Sequence, residues 1–316
     1  IRKVKFGLKS LKSSGWKYKA ENLEIKVLSI SGVKYFSRIA KDIELDILHA
    51  HFNRAPTHTA MLMSEILRIP FTFTCHAADI FTNFDIGALK TRVERSGATI
   101  TISYYNKRYI SSLIGLSYAE KIKVIRACPS FDKLKNLRRQ EDEYIIITVA
   151  RLLEKKGIKY AILAVKNLVE EFPRLQYRIV GSGPLEKELK ELVKSLGITK
   201  NVSFLGRLGD EQLREELSKA TIFVLPCVKA KNGDMDGIPV ALMEAMYIGI
   251  PVVSTKVSGI PELIENGKEG ILVEPRNIEQ LEDAIRVLIE NEKIKRKIGK
   301  NGKKRINKKF NIHREV

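Results

Sequence analysis

The sequence predicts an α/β fold of two doubly wound domains, and three observations carry that expectation. Short apolar runs rich in β-branched residues alternate with amphipathic stretches along the chain, the pattern of parallel strands joined by crossover helices. The alternation fails in the charged segment LKNLRRQEDE at 134–143 and then restarts. At 316 residues the chain is also too long for one ordinary core of roughly 150 residues. Two Rossmann-like domains facing across one cleft are therefore expected, spanning residues 1–138 and 139–316.

In the first domain the strand candidates are EIKVLSI at 24–30, DILHAHF at 46–52, PFTFTCH at 70–76, ATITIS at 98–103 and KIKVIRA at 121–127. The chain opens on Ile1 and its first good strand arrives only near Glu24. The domain is therefore expected to lack its opening strand and the Gly-rich turn that follows such a strand. The second domain restarts with YIIITVAR and the helix GIKYAILAVKNLVEEF. It continues through QYRIVG, LEKELKELVKSLG, NVSFLG, DEQLREELSKA, TIFVLP, a Gly-rich loop, a short helix, PVVSTK, PELIENG and GILVEP to a helix from Ile278. A basic segment from Ile294 reads as a helix, a short break and the start of another helix, a candidate for crossing back to the first domain.

A hydrophobic content of 44% with 29% charged residues describes a folded globular chain. Cys75, Cys128 and Cys227 are odd in number and far apart, which argues against a disulfide framework or a structural zinc site and for a reducing compartment. No apolar run reaches the roughly 20 residues of a membrane span, and the first ten residues lack a signal-peptide core. A cytoplasmic location is expected, with peripheral contact on the inner face of the cell membrane. The net charge of +19 sits mostly in residues 1–140, where 25 Lys and Arg face 11 Asp and Glu. Nucleic acid is set aside, because there is no arginine cluster, aromatic interleaving or zinc module to read it. Two explanations stay open: attraction to an anionic membrane surface carrying a lipid-linked acceptor, and the Lys-rich bias of a heat-adapted or AT-rich genome.

The stretch from Ile238 to Val253 holds one charged residue, Glu244. Pro239 opens a short helix there and Gly249 with Pro251 closes it, placing Glu244 on the second turn of a nearly buried helix. A carboxylate in that setting needs partners, either ribose hydroxyls or groups of the core. Asp236 lies just ahead, as a sugar-reading acid or an ordinary N-cap, and the N–H groups of Gly237, Ile238 and Val240 form the positive helix end. Arg151 and Lys156 follow the strand YIIITVA at the carboxyl edge of the sheet, where doubly wound folds bind ligands. They suit the two sides of a diphosphate. Gly181-Ser182-Gly183-Pro184 lacks the third glycine of a dinucleotide fingerprint, which is Glu186 here, and reads as a tight turn. His76, His49, His51 and Asp79 sit at the matching edge of the first domain, where they could bind donor hydroxyls or position an acceptor oxygen.

Taken together, RLLEKKG, IVGSGP, NVSFLGRL, GDMDGIPVALMEAM, GIPVVSTKVSGIPELIENG and GILVEP resemble the family-4 retaining glycosyltransferases of the GT-B fold. GDMDGIPVALMEAM, with HAHF and TCHAADIF, is similar to the exopolysaccharide branch that includes colanic acid biosynthesis glycosyltransferases. The E-x7-E motif of that family reads Asp236 and Glu244, so its first acid is shortened. The resemblance implies that Asp236 and the amides after it hold the transferred sugar, that Glu244 holds the ribose and that Arg151 and Lys156 bind the diphosphate. His76 would touch the sugar, and the backbone near Arg207 and Leu208 would meet the base. It further implies transfer with retention from a UDP- or GDP-sugar to a saccharide or lipid-linked saccharide, with no metal and no cofactor. A sugar-nucleotide 2-epimerase and a catalytically inactive donor-binding scaffold are the alternatives.

Overall fold

A computed structural model describes residues 30–41, 45–140 and 144–310. The strand expected over 24–30 lies outside the described residues except for Ile30, which opens a helix, and so does the second helical start expected after residue 310. The chain forms two compact units. One holds the residues up to Thr101 with Lys107–Val124, and the other holds Ile102–Asn106 with Ile125 onward. Both are α/β, with every strand pair parallel.

In the first unit the elements are α1 (Ile30–Lys41), β1 (Leu48–His51), α2 (Ala55–Leu67), β2 (Phe71–Cys75), α3 (Ala78–Phe81), α4 (Ile86–Arg95), β3 (Ala98–Thr101), α5 (Tyr104–Ile114, whose first residues to Asn106 group with the second unit) and β4 (Ile122–Val124). The strands pair in the order β1-β2-β3-β4. Strand β2 is buried except at Thr72, with Phe71, Phe73 and Cys75 all but inaccessible, in keeping with a strand paired on both sides. Strand β1, outermost among the described strands, alternates buried Leu48 and Ala50 with exposed His49 and His51.

The second unit runs β5 (Ile145–Val149), α6 (Ile158–Glu171), β6 (Gln176–Val180), α7 (Glu186–Ser195), β7 (Val202–Gly206), α8 (Asp210–Lys219), β8 (Ile222–Leu225), α9 (Val240–Tyr247), β9 (Val252–Thr255), α10 (Ile260–Leu263), β10 (Ile271–Val273), α11 (Ile278–Glu290) and α12 (Glu292–Lys309). Its strand order is β10-β9-β8-β5-β6-β7. The chain winds outward one way from β5 and, after β7, resumes at β8 on the other side. The topological switch point thus lies between β5 and β8, and the loops leaving their carboxyl ends border the crevice where such folds bind ligands. The β5 run Ile145–Ile147 and all four residues of β8 are buried, which explains their uninterrupted apolar sequence.

Segment 125–138, assigned to the first domain by the sequence reading, packs with the second unit. At its end Arg139 donates to the carbonyls of Ala220 (2.6 Å) and Gly249 (3.2 Å), and Gln140 N–H donates to Ser218 O (2.9 Å). No helix among the described residues is long and apolar enough to cross a membrane.

Helix α12 lies against α9 through glycine. A Cβ on Gly299 would come within 2.4 Å of Gly249 O, while at Gly302 the nearest neighbour is Glu269 O at 3.2 Å, with Met246 of α9 beyond it. The chain turns at Gly249 with φ of 83°, so the backbone there has little room to retreat. We expect Gly299→Ala to cost about 1–3 kcal/mol by overpacking, read as a lower midpoint in denaturant, with Gly302→Ala milder.

Candidate functional site

The loops that leave β5 and β8 touch. Gly157, with φ of 66°, ends a 3-10 turn at Glu154–Lys156, and a Cβ there would fall 1.9 Å from Pro226 O. Only glycine permits this approach. Val228 N–H donates to Lys155 O (2.9 Å) and Lys231 N–H to the Glu154 carboxylate (3.2 Å). Two adjacent lysines from the first loop thereby meet two acids from the second. Lys156 Nζ lies 2.6 Å from Asp236 Oδ2, and Lys155 Nζ lies 3.4 Å from Asp236 Oδ1 and 3.0 Å from Asp234 Oδ2.

All four side chains are between 12% and 20% exposed. Burial is the largest single influence on Lys156 and works against its charge, but the Asp236 carboxylate, Cys227, the hydrogen bond to Asp236 and Asp234 together outweigh it, so the ammonium is held above its ordinary value. The Cys227 thiol, 3.5 Å from Asp236 Oδ2, is pushed far up by burial and by that carboxylate. Asp236 is not an N-cap: the cap of α9 is Pro239, with no side-chain hydrogen bond. The carboxylate faces two cations instead of open solvent. Arg151 extends from the same β5 loop, is exposed, and makes no ion pair or side-chain hydrogen bond among the described residues.

Pro239 starts α9 because its missing N–H costs nothing there. The helix buries Leu242, Met243, Ala245 and Met246 completely and leaves Glu244 half-buried on its second turn. Among the described residues no hydrogen bond or ion pair reaches the Glu244 carboxylate. Burial raises its pKa, opposed in part by the charge of Lys133. The N–H groups of Gly237, Ile238 and Val240 likewise donate no hydrogen bond among the described residues, whereas Gly237 O accepts from Gly259 N (3.2 Å). The start of α9 thus offers donors and Glu244 offers an acceptor.

Along the same carboxyl edge, Gly181 and Gly183 form the tight turn read from the sequence. Added Cβ atoms would lie 1.9 Å from Ala150 O and 2.5 Å from Leu152 O, so the glycines exist to pack this turn on the Arg151 loop. Arg207, exposed after β7 with Leu208 beside it, donates from Nε to Ser182 Oγ (2.8 Å), and Gly181 N donates to Gly206 O (2.7 Å).

In the first unit, β1 and β2 bring three histidines together. His51 Nδ1 and His76 Nε2 are 3.1 Å apart with the rings stacked, so one nitrogen donates and the other accepts, and the two rings cannot both be imidazolium while that bond stands. His49 is satisfied by the hydroxyls of Thr72 (2.7 Å) and Thr74 (3.0 Å) on β2. Burial, followed by the neighbouring histidines, lowers the His49 pKa. For His76, burial lowers it, Asp79 opposes, and His51 adds to the lowering. Asp79 is 1% exposed, and its oxygens accept the N–H groups of Asn53 (2.8 Å), His76 (3.0 Å) and Ala77 (2.9 Å). Its role is to fix the loop carrying His76, not to contact a ligand. Among the described residues no group of three or more His, Cys, Asp or Glu is arranged to hold a metal.

Sequence reasoning passed over Lys155, Asp234, Cys227 and Lys133. The signal for the first two was present, an adjacent lysine pair in one loop and acids two apart in another, but the pairing depends on loops that meet only after folding.

Residues 130–305 match the family described as Glycosyl transferases group 1, and residues 21–127 match Glycosyltransferase Family 4. The chain is 49% identical over 132 residues to the putative colanic acid biosynthesis glycosyltransferase WcaL of Escherichia coli, covering 42% of this chain and 32% of that protein. It is 43% identical over 157 residues to the amylovoran biosynthesis glycosyltransferase AmsK of Erwinia amylovora, covering 49% of this chain and 38% of that one. These matches span about a third of the length of each relative. HepE of Anabaena, solved in complex with UDP and glucose, superposes with a TM-score of 0.75 at 22% identity, over 90% of this chain and 78% of HepE, and shares the fold.

A carboxyl whose pKa is raised on folding binds more protons folded than unfolded between its two pKa values, so it makes stability fall as pH rises through that window. Glu244→Gln removes this effect. We expect the variant, without ligand, to unfold at a higher temperature than the parent at neutral pH, and the difference to vanish as pH falls below about 4.3, the unfolded glutamate value. Equal midpoints at neutral pH would contradict the desolvation argument.

Proposed function

This chain belongs to the group 1 glycosyl transferases, has the GT-B fold, and on that premise we propose that it moves a hexose from a nucleotide-diphosphate sugar to a saccharide or lipid-linked saccharide acceptor in cell-surface polysaccharide synthesis. The observation that carries the proposal is the site around α9: unengaged N–H donors at its start, an unengaged and desolvated Glu244 one turn on, and Arg151 and Lys156 at the adjoining switch point. Cations, amides and one carboxylate in a row match the phosphates, sugar and ribose of a UDP- or GDP-sugar. The names of WcaL and AmsK support an exopolysaccharide acceptor, and the HepE complex supports a nucleotide-diphosphate donor.

In this reading Arg151 and Lys156 flank the diphosphate, and the N–H groups of Gly237, Ile238 and Val240, with Asp236, hold the transferred sugar. Glu244 accepts from the ribose hydroxyls, and the backbone at Arg207 and Leu208 meets the base. His76, with His51 bonded to it, supplies ring nitrogen to sugar or acceptor hydroxyls, and His49 lies beside them. The bond between the anomeric carbon and the phosphate oxygen breaks, the acceptor oxygen bonds the same face, and the acceptor proton passes to the departing phosphate. Negative charge grows on the leaving diphosphate, so fixed cations and amides contribute most. No metal or cofactor enters the proposal. A donor-binding protein without turnover is the second reading, favoured by Asp236 being engaged by two ammonium groups.

A cytoplasmic site of action, at the membrane that carries a lipid-linked acceptor, is part of the same proposal. Its support is α12, whose exposed side carries Lys293, Lys297, Lys300, Lys303 and Lys304 with no acid after Glu292. Each such charge near an anionic bilayer contributes about 1 kcal/mol.

Mass spectrometry of UDP- and GDP-sugars incubated with the protein reads hydrolysis or transfer directly, and consumption of none of them overturns the proposal. Binding of UDP or GDP without turnover selects the second reading. Arg151→Ala should reduce turnover roughly a hundredfold, the loss of about 3 kcal/mol from one preorganised contact. A rate within a factor of three of the parent would remove Arg151 from the site. Reversing Lys297, Lys300 and Lys303 to Glu should weaken sedimentation with phosphatidylglycerol vesicles by roughly tenfold or more. Unchanged sedimentation removes the membrane element alone.

A further inference from the structure

We propose that Lys155 and Asp234 are positioning residues of the donor site, and that they set its charge: Lys155 offsets Asp236 so that Lys156 still presents a cation to a diphosphate, and Asp234 holds Lys155 in place. The inference rests on the donor-site reading above.

The four side chains form one alternating row, Asp234, Lys155, Asp236, Lys156, with successive separations of 3.0, 3.4 and 2.6 Å. Lys156 and Asp236 alone would neutralise each other at their short contact, and an arriving diphosphate would meet a closed ion pair. In the structure each oxygen of Asp236 faces a different ammonium group. Asp236 is therefore shared, and Lys156 is not its only counter-ion. The row sums to zero. Without the charge of Lys155 it sums to minus one at the place where a dianion or trianion must bind.

The loop geometry keeps Lys155 at its post. Its carbonyl accepts from Val228 N (2.9 Å), so the residue is clasped from both its backbone and its ammonium by the loop after β8. That loop is itself folded back, with Ala230 N–H donating to Asp234 O (2.9 Å) and Asp234 N–H to Asn232 Oδ1 (3.0 Å). Asp234 reaches Lys155 through both carboxylate oxygens, at 3.2 and 3.0 Å. Among the described residues neither Lys155 nor Asp234 pairs with Arg151 or Glu244, and their ion-pair contacts lead to Asp236 and, through it, to Lys156.

The test is calorimetry with UDP and with GDP on the full chain, together with donor kinetics. Lys155→Met should weaken nucleotide binding on the order of tenfold and raise the donor KM more than it lowers kcat, and Lys155→Arg should retain most of the binding. Asp234→Asn leaves the row one charge more positive, so it should bind the nucleotide more tightly than the parent, a result that a poorly folded protein cannot give. The double variant Lys155→Met with Asp234→Asn restores the original charge and should recover most of the affinity lost in Lys155→Met. High salt should shrink all of these differences. If Asp234→Asn weakens binding, or the double variant binds no better than Lys155→Met, the charge role is overturned and the pair is a structural brace. If Arg151→Ala weakens binding while Lys155→Met does not, this inference fails and the donor site stands. If neither UDP nor GDP binding responds to Arg151→Ala, the donor-site reading itself fails.

Discussion

The apposition of the loops after β5 and β8 is the constraint from which the site follows. A parallel sheet that winds outward from its first strand leaves its crevice at the switch point, and here the two bordering loops are drawn together until Gly157 has no space for a side chain beside Pro226 O. That contact decides which side chains meet. With the backbones in touch, charges from residues 155–156 and 234–236 fall within ion-pair distance although about 80 positions separate them in sequence. Buried Ser254 and Thr255 on β9 donate their hydroxyls back to Leu225 O and Cys227 O, so the neighbouring strand holds the start of the second loop.

The electrostatics of the site separate into a compensated part and an uncompensated part. Lys155, Lys156, Asp234 and Asp236 satisfy one another, which is how four ionised groups can be mostly withdrawn from water. Arg151 and Glu244 have no such partner among the described residues, one on the loop after β5 and one on α9. Groups left unsatisfied in the free protein retain interaction energy for a ligand. For Glu244, withdrawn in part from water, this carries a cost in stability.

The fold was legible because the strands of a parallel sheet are covered on both faces and therefore read as apolar runs, as IIITV and IFVL do. The turn at Gly181 and the short helix around Glu244 were legible for a similar reason, since each breaks its surroundings chemically. Asp236 was half legible: its place before a helix start was correct, but local sequence suggested an N-cap or an open acid, and tertiary contact gave it two lysines. Lys155 was hidden beside Lys156 because the direction of neighbouring side chains in a 3-10 turn depends on what lies opposite. Asp79 was misleading in another way. A polar residue near a histidine at a strand end has the composition of a site, and only its burial and its three N–H partners show that it braces the loop.

The two acids of the Asp236 and Glu244 motif have opposite surroundings, and this bears on how a shortened first acid can serve. An aspartate is one methylene shorter than a glutamate, so its carboxylate stays near its own backbone and cannot reach as far into a ligand. In this chain the lysines come to it: Lys156 reaches 2.6 Å and Lys155 reaches 3.4 Å on the other oxygen. The carboxylate is thereby fixed in direction, with an ammonium group at each oxygen, shortly before the start of α9. Glu244 keeps its full length, has no hydrogen bond or ion pair among the described residues, and has its pKa raised by burial. Here one acid is engaged by two ammonium groups of the protein, and the other has no hydrogen bond or ion pair among the described residues.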